Sequence, residues 1–463
     1  MPSKTSPWPA LWTMMIGFFM ILVDSTIVSV AIPAITDAFG AGYNQVIWVN
    51  SAYLLAYAVP LLITGRLGDR FGPRRLYIGG FALFTISSLA CALAGNIETL
   101  IVARTFQGLG GAIATPQTMS VMIRTFSPRE RGGAMGVWGA TAGVATITGP
   151  LVGGLLVEAA GWPWIFFVNV PVGVVGLALA WRFVPVLENT ARAFDWVGVA
   201  ISAIGMFSLI FGIQEGERLQ WSWPVWVLVG TGLVLLACFV AWQRRMGTKA
   251  LVPLSLFKDR NYALAAVAIS TVGFAVSTFI IPWMIYVQQV RGFSPTHAAL
   301  LVLPAGVMAG GLSPYIGKLT NTRSPKPIAI AGLTLNSLSI ALMALITTPA
   351  IDPHWLLAIS VLNGLGNSMM FGPLSMIATR NLDPHLAGAG SSVYNTVRQV
   401  GAVIGSAAIA ATMAAQIRAQ MGPGAGGAEF ASAMSHSMWL PAVVLLFGAA
   451  VATGFAKTKS WDD

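Results

Sequence analysis

The 463-residue sequence predicts an all-α polytopic membrane protein with fourteen transmembrane helices. Three observations lead there. The chain is 56% hydrophobic and only 9% charged, whereas a soluble domain carries roughly a quarter charged residues. Its apolar residues gather into fourteen runs, each near the ~20 residues that cross a bilayer core of roughly 30 Å. Threaded through a bilayer from a cytoplasmic N-terminus, these runs put 21 of the 26 Lys and Arg on inner loops and tails, in line with the positive-inside rule.

The first run, 10–32, follows a short polar start, "MPSKTSPWPA", and reads as an uncleaved helix rather than a signal peptide. Runs 46–66, 76–94, 97–125, 131–157 and 163–184 complete a first set of six. Runs 194–214 and 224–243 form a pair with an outer turn at Glu215–Trp221. Runs 261–287, 295–320, 326–347, 355–380, 387–415 and 437–456 form a second six. This divides the chain into an N-terminal six-helix bundle (1–190), two inserted linker helices (191–250) and a C-terminal six-helix bundle (251–463). The joints are short and rich in Pro, Gly and charge, and no soluble domain fits among them.

Charge placement also narrows the function classes. Three basic residues, Arg218, Arg291 and Arg418, fall on outer loops, and two, Arg104 and Arg398, fall inside spans. The net charge of +10 therefore faces the cytoplasmic leaflet, which argues against nucleic acid as a partner. Cys91 and Cys238 lie in separate apolar runs, and without a CxxC or His cluster neither a metal site nor a disulfide framework is indicated. No nucleotide-binding loop appears, no cofactor is implied, and no nucleophile–base set suggests an enzyme.

One charged turn occurs twice. "GRLGDRFGPRR", Gly65 to Arg75, joins spans 2 and 3; "GKLTNTRSPKP", Gly317 to Pro327, lies 252 residues later and joins spans 10 and 11. Asn321 stands where Asp69 stood, and Lys326 where Arg74 stood. Two parallel halves with matching turns mark a transporter that rocks about a central site.

Seven segments, in order along the chain, carry a family resemblance: "LVDSTIVSVAIP" (22–33), "GRLGDRFGPRR", "RTFQGLGGA" (104–112), "GPLVGG" (149–154), "WPWIFFVNVPVG" (162–173), and the later pair "YVQQVRGFSPTHAALLVLP" and "SSVYNTVRQVGAVIG". Together they resemble the major facilitator superfamily, in particular its fourteen-helix drug/proton antiporters. The sequence departs from the usual pattern at Ser29, Pro73, Pro163 and Ala299. The resemblance implies a proton-coupled exporter in a bacterial cytoplasmic (inner) membrane, with both termini cytoplasmic and the chain monomeric.

Asp24 is the single carboxylate inside a span. A charge there costs several kcal/mol unless neutralised or hydrated, so a proton-carrying role is expected; the alternative is an acid that serves packing. Arg104 sits at similar depth in span 4 and is expected to pair with Asp24, with Gln107 one turn on as a polar relay. A structural arginine on helix-end carbonyls is the alternative. Asp69, with Arg70, Arg129 or Arg131, is expected to latch the cytoplasmic side, and Gly65 and Gly72 permit the tight turn. Gly149 and Pro150 crown a glycine-rich stretch of span 5, whose small residues allow close helix approach and whose proline permits a kink. That suits a moving interface or static packing equally.

Polar groups at membrane depth must face protein or water. Asn363 and Asn367, and likewise Asn395 and Arg398, are therefore expected to point inward and to line a substrate cavity, or else to bond between helices. Trp138, Trp283, Tyr286 and Met369–Met370 are candidates for its adaptable apolar wall. The expected function is proton-coupled export of lipophilic small molecules such as drugs. The rival readings are export of one endogenous metabolite or lipid, and a transporter-like sensor without flux.

Overall fold

The computed structural model describes the chain except residues 1–5, 42, 189–194, 217–218, 247–249, 348–351, 384–385, 421–425 and 457–463, and the side chains at 33, 43–45, 47, 62, 128–129, 146–147, 295, 321 and 387–388. Arg218 and the side chains of Arg129 and Asn321 thus lie outside the described residues.

Seventeen α-helices form among the described residues. The first half holds α1 (Trp8–Phe39), α2 (Tyr43–Ala58), α3 (Leu61–Phe71), α4 (Pro73–Ala92), α5 (Ile97–Thr125), α6 (Pro128–Ala160), α7 (Trp164–Phe167) and α8 (Asn169–Phe183). A hairpin follows, α9 (Trp196–Glu215) and α10 (Trp223–Met246). The second half holds α11 (Arg260–Ile285), α12 (Pro295–Leu300), α13 (Leu303–Thr322), α14 (Pro325–Ile346), α15 (Pro353–Thr379), α16 (Ala387–Gln420) and α17 (Gly427–Thr453).

Twelve helical stretches are long and apolar enough to cross a membrane, α7–α8 and α12–α13 each forming one of them, and the bent pair α2–α3 makes a thirteenth. The 51° bend falls at Pro60, which lacks the N–H that a continuous helix would use. Helix α5 has 29 residues, long enough to span at about 1.5 Å per residue, but it is too polar to join that set. It corresponds to the expected run 97–125.

Ends are set by local chemistry rather than by hydropathy. Helix α1 runs to Phe39, seven residues past the apolar run, and stops at Gly40 in the left-handed region (φ 55°). Asn96 caps α5 by accepting from the Thr99 N–H at 2.8 Å. Asp259 caps α11 by accepting from the N–H groups of Asn261 and Tyr262. Such caps satisfy the otherwise orphaned first N–H groups.

The two halves repeat the same close crossings. A Cβ on Gly110 of α5 would lie 2.5 Å from the Phe84 nitrogen of α4, and one on Gly366 of α15 would lie 2.7 Å from the Asn336 nitrogen of α14. Gly108 would meet the Tyr53 carbonyl at 2.3 Å, and Gly364 would meet the Ala305 carbonyl at 2.3 Å. The repeated turns also do the same work. Arg74 donates to the Trp181 carbonyl in the last turn of α8, and Lys326 Nζ donates to the Phe455 carbonyl just beyond α17 at 2.7 Å. Each cation ties the start of its half's third span to the end of the sixth, where a helix C-terminus favours positive charge.

The inserted hairpin is held at this same basic end. Asp195 accepts from the Gly198 N–H at 2.8 Å, Trp242 Nε1 at 3.0 Å and Gln243 Nε2 at 2.8 Å. Gln243 Oε1 in turn accepts from the Val252 N–H at 3.0 Å. Arg66, in the first charged turn, clasps the carbonyls of Ala250 and Leu251. Met206 and Ile210 of α9 pack with Leu55 and Ala58 of α2 and Val403 of α16, where the two halves meet.

Candidate functional site

Asp24 and Arg104 form an ion pair at 2.5 Å, both side chains fully buried. Arg104 Nη1 also donates to Gln107 Oε1 at 2.8 Å, and Arg104 Nε donates to the Val49 carbonyl at 3.1 Å. Its guanidinium lies 4.1 Å from the centre of the Tyr53 ring, a cation–π contact strengthened by the absence of water. The other carboxylate oxygen, Asp24 Oδ1, accepts from Gln107 Nε2 and from Asn169 Nδ2, each at 2.9 Å. Ser88 Oγ accepts from both amides and donates to the Phe166 carbonyl. Helices α1, α2, α4, α5 and α8 each contribute to one closed polar centre.

This cluster brings together Asp24, Arg104 and Gln107, as their sequence positions suggest. Helix α1 continues to Phe39, so Asp24 lies about 22 Å from that helix end at 1.5 Å per residue, and the two side chains still meet at 2.5 Å. Asn169, Ser88 and Tyr53 were not foreseen. Asn169 is the lone amide in the 163–184 run, and the cost of an unpaired amide in hydrocarbon is the signal that could have singled it out. A proton arriving on Asp24 would cancel the partner charge of an arginine that cannot release its own. The centre can therefore exist in two charge states.

The glycine-rich span contacts this centre on one side and the second half on the other. A Cβ on Gly149 would fall 1.9 Å from Thr26 Oγ1 and 2.9 Å from the Val23 carbonyl, adjoining Asp24 on α1. Pro150 follows inside the continuous helix α6. Nearer the basic end, Gly136 lies against Gly317 of α13, and Gly139 against Gly372 of α15. Asp69 is buried at the end of α3, while Arg70 is exposed. Gly65 is buried, and Gly72 turns the chain into α4 at φ 93°. Gly68 leaves room for the Gln117 side chain, which donates to the Thr64 carbonyl at 2.9 Å.

The candidate cargo residues separate into four groups. Trp138 is buried and stacks on Phe18 at 4.9 Å. Trp283 stacks on Phe279 and sits 5.9 Å from Tyr286, which opens a π-turn, Tyr286–Val290. The Nε1 atoms of both tryptophans lack a hydrogen-bond partner among the described residues. The Tyr57 hydroxyl donates to Thr115 Oγ1 at 3.0 Å, and Arg398 Nε and Nη2 have no hydrogen-bond partner among the described residues. Asn395 donates to the Ser391 carbonyl at 3.0 Å. Asn363 and Asn367 instead bond within the second half. Asn367 Nδ2 donates to Asn363 Oδ1, Asn363 Nδ2 donates to Ser339 Oγ, and Asn336 Nδ2 donates to Asn367 Oδ1, at 3.0 to 3.1 Å. Asn336 and Ser339 are further residues that the sequence reading did not single out.

A family model described as "Major Facilitator Superfamily" matches residues 14–194 and 183–406. The chain is 45% identical over 481 residues to an uncharacterized MFS-type transporter of Mycobacterium tuberculosis (strain ATCC 25618 / H37Rv), covering 98% of this chain and 83% of that one. It is 34% identical over 411 residues to the Multidrug resistance protein Stp of Mycobacterium tuberculosis (strain CDC 1551 / Oshkosh), covering 88% and 76%. Among solved structures, the proton:xylose symporter XylE superposes with a TM-score of 0.67 at 12% identity, over 98% of this chain and 97% of that one, a likeness of fold.

Proposed function

The chain belongs to the Major Facilitator Superfamily, and on that premise we propose that it is a proton-driven exporter of lipophilic small molecules working by alternating access. The observation that carries this reading is the sealed Asp24–Arg104 pair at 2.5 Å. A solvent-free ion pair is a poor investment for stability alone, whereas a carboxylate that alternates between two charge states is what coupling needs. The 34% identity to a multidrug resistance protein supports drug-like cargo.

In this reading Asp24 carries the proton and Arg104 sets its affinity, with Gln107 and Asn169 holding the carboxylate in place. Helix α6 transmits the change, since Gly149 adjoins the Asp24 turn and Gly136 adjoins the second half. The turn containing Gly65, Asp69, Arg70 and Gly72 latches the cytoplasmic side. The two six-helix halves, 1–190 and 251–463, rock about the site, and the linker helices 191–250 ride on their seam. Arg398, Asn395, Trp138, Trp283 and Tyr286 meet the cargo. The protein works as a monomer in a bacterial inner membrane with both termini cytoplasmic.

The test is transport in reconstituted vesicles under an imposed pH gradient, with a panel of lipophilic compounds. The unaltered protein should accumulate substrate against its gradient, and Asp24→Asn should bind substrate without accumulating it. Accumulation by Asp24→Asn under a pH gradient alone would remove Asp24 from the carrier role.

A further inference from the structure

The second half contains a discharged copy of the Asp24 centre. The matched crossings fix the correspondence residue by residue. Gly108 and Gly364 meet the carbonyls of Tyr53 and Ala305 at the same 2.3 Å, so Ala305 stands in the place of Tyr53. Along α15, "NGLGN" (363–367) aligns with "QGLGG" (107–111) of α5, which puts Asn363 in the place of Gln107 and Ser360 in the place of Arg104. The hydrogen bonds agree: Gln107 Nε2 reaches Ser88 Oγ at 3.1 Å, and Asn363 Nδ2 reaches Ser339 Oγ at 3.0 Å. In α1 and α11 the glycines of the packed helix give the register. Gly149 and Gly153 approach the carbonyls of Val23 and Ile27, while Gly401 and Gly405 approach those of Ser270 and Phe274. Asp24 thus corresponds to Thr271, whose hydroxyl is spent on the Ala268 carbonyl of its own helix at 2.7 Å.

Where the first half stacks an arginine on a tyrosine, the second has a serine and an alanine. The missing volume appears as a cavity of about 40 Å³ lined by Ser360, Ala305, Asn336, Asn363 and apolar side chains including Phe279 and Met370. Ser360 is 1% exposed, and its hydroxyl has no hydrogen-bond partner among the described residues. The three asparagines around it largely satisfy one another. The cavity therefore offers one free hydroxyl, walls that are apolar apart from the mutually bonded Asn336, Asn363 and Asn367, and no charge.

We propose that this cavity is a cargo subsite that takes the uncharged, oxygen-bearing end of a lipophilic molecule, with the Ser360 hydroxyl donating to that oxygen. An ionic group would lose its hydration there without a counter-charge. The assignment of the guest as cargo rests on the export reading above; the existence of a neutral-selective cavity does not. It also separates the tasks of the two matching centres: that of the first half keeps the Asp24–Arg104 charges and handles the proton, and that of the second has exchanged them for space.

Two measurements on the purified full-length protein test this. In Ser360→Cys, neutral methyl methanethiosulfonate should modify Cys at this position at least about tenfold faster than its trimethylammonium-bearing analogue, with adducts assigned by peptide mass spectrometry. No adduct at that position, or equal rates for the two reagents, would overturn the cavity. In Ser360→Ala, binding of a lipophilic ketone read by tryptophan fluorescence should weaken about three- to tenfold, while a hydrocarbon of matched shape should bind unchanged. Equal binding of the ketone to both proteins would leave the cavity to water alone and overturn the cargo subsite. Neutral-selective labelling and a ketone-specific loss, in a protein that shows no pH-driven flux, would instead refute proton-driven export and leave this site standing.

Discussion

Gly317 of α13 lies so close to Gly136 of α6 that a Cβ on Gly317 would fall 2.6 Å from the Gly136 Cα. The same seam is closed on its far side by Ser391, which donates to the Pro116 carbonyl at 3.1 Å, and by Ser392, which donates to the Leu61 carbonyl. Backbone atoms face each other here, so no side chain can yield to make room. Forcing extra atoms into such a contact costs about 1–3 kcal/mol, and the cost falls only on the state in which the basic end is closed. Gly317→Val should fold but turn over about five- to a hundredfold more slowly, as vesicle flux would show. Turnover equal to that of the unaltered protein would mean that this closure is not a step in transport.

Arg104 makes four contacts at once: with Asp24, Gln107, the Val49 carbonyl and the Tyr53 ring. Lysine keeps the charge but presents a point rather than a planar fork, and Arg-to-Lys exchange is not conservative at such a site. Arg104→Lys should lose at least about tenfold in pH-driven accumulation, from the loss of two or more buried hydrogen bonds, with the folded yield preserved. Accumulation within twofold of the unaltered protein, or about that, would show that charge alone suffices and that the fork has no part.

Much of this site could be read in the sequence because charge in a greasy run is conspicuous. Asp24, Arg104 and Gln107 each interrupt an apolar stretch, and the membrane makes such interruptions costly. Tyr53 and Ser88 carry no such cost, since either residue also fits ordinary helix packing. The Pro60 break and the short α7 were hidden for another reason: hydropathy averages over a span and cannot see one missing N–H. The overrun of α1 to Phe39 has the same origin, because the helix ends at Gly40 rather than at the edge of the apolar run. The task of Arg74 and Lys326 was hidden more deeply still. Their partners are backbone carbonyls more than a hundred residues away, which leave no residue type to match.

Those two cations supply a symmetric prediction. Removing either leaves the C-terminal carbonyls of the sixth span in its half without their capping charge, worth about 0.3–1 kcal/mol at an exposed helix end. Arg74→Ala and Lys326→Ala should each lower the midpoint of thermal unfolding in detergent by about a degree or less, and the double variant by about the sum, since the sites are far apart. Arg74→Lys should recover most of the loss. A destabilisation confined to one half would show that the repeated turn no longer has the same task in both copies.

The hairpin α9–α10 turns between Glu215 and Trp223, at the end of the molecule opposite the basic turns. Ser222 is exposed there. In a background with Cys238 replaced by Ala, a cysteine at Ser222 should react with a membrane-impermeant maleimide added outside intact cells. Labelling only after the membrane is broken would require the hairpin to lie inside, and the count of spans before it would have to change by one.

Cargo charge follows from the ionisable groups that the spans contain. The membrane interior holds one carboxylate, Asp24, and two guanidiniums, Arg104 and Arg398. Their formal sum is +1 with Asp24 ionised and +2 with it protonated. Asp24 is already engaged by Arg104, Gln107 and Asn169, and Arg398 keeps two nitrogens without a hydrogen-bond partner among the described residues. A dication brought into this interior would shed its hydration and meet no free anion, and such desolvation is not recovered without opposite charge. A single positive charge suffers less, and a neutral or partly anionic molecule can accept hydrogen bonds from Arg398. Cells producing the protein should therefore export a mono-quaternary lipophile faster than its bis-quaternary partner of similar size. Efflux of the bis-quaternary compound at an equal or greater rate would mean that an acid from outside the spans, such as Asp37 or Glu158, enters the pathway during transport.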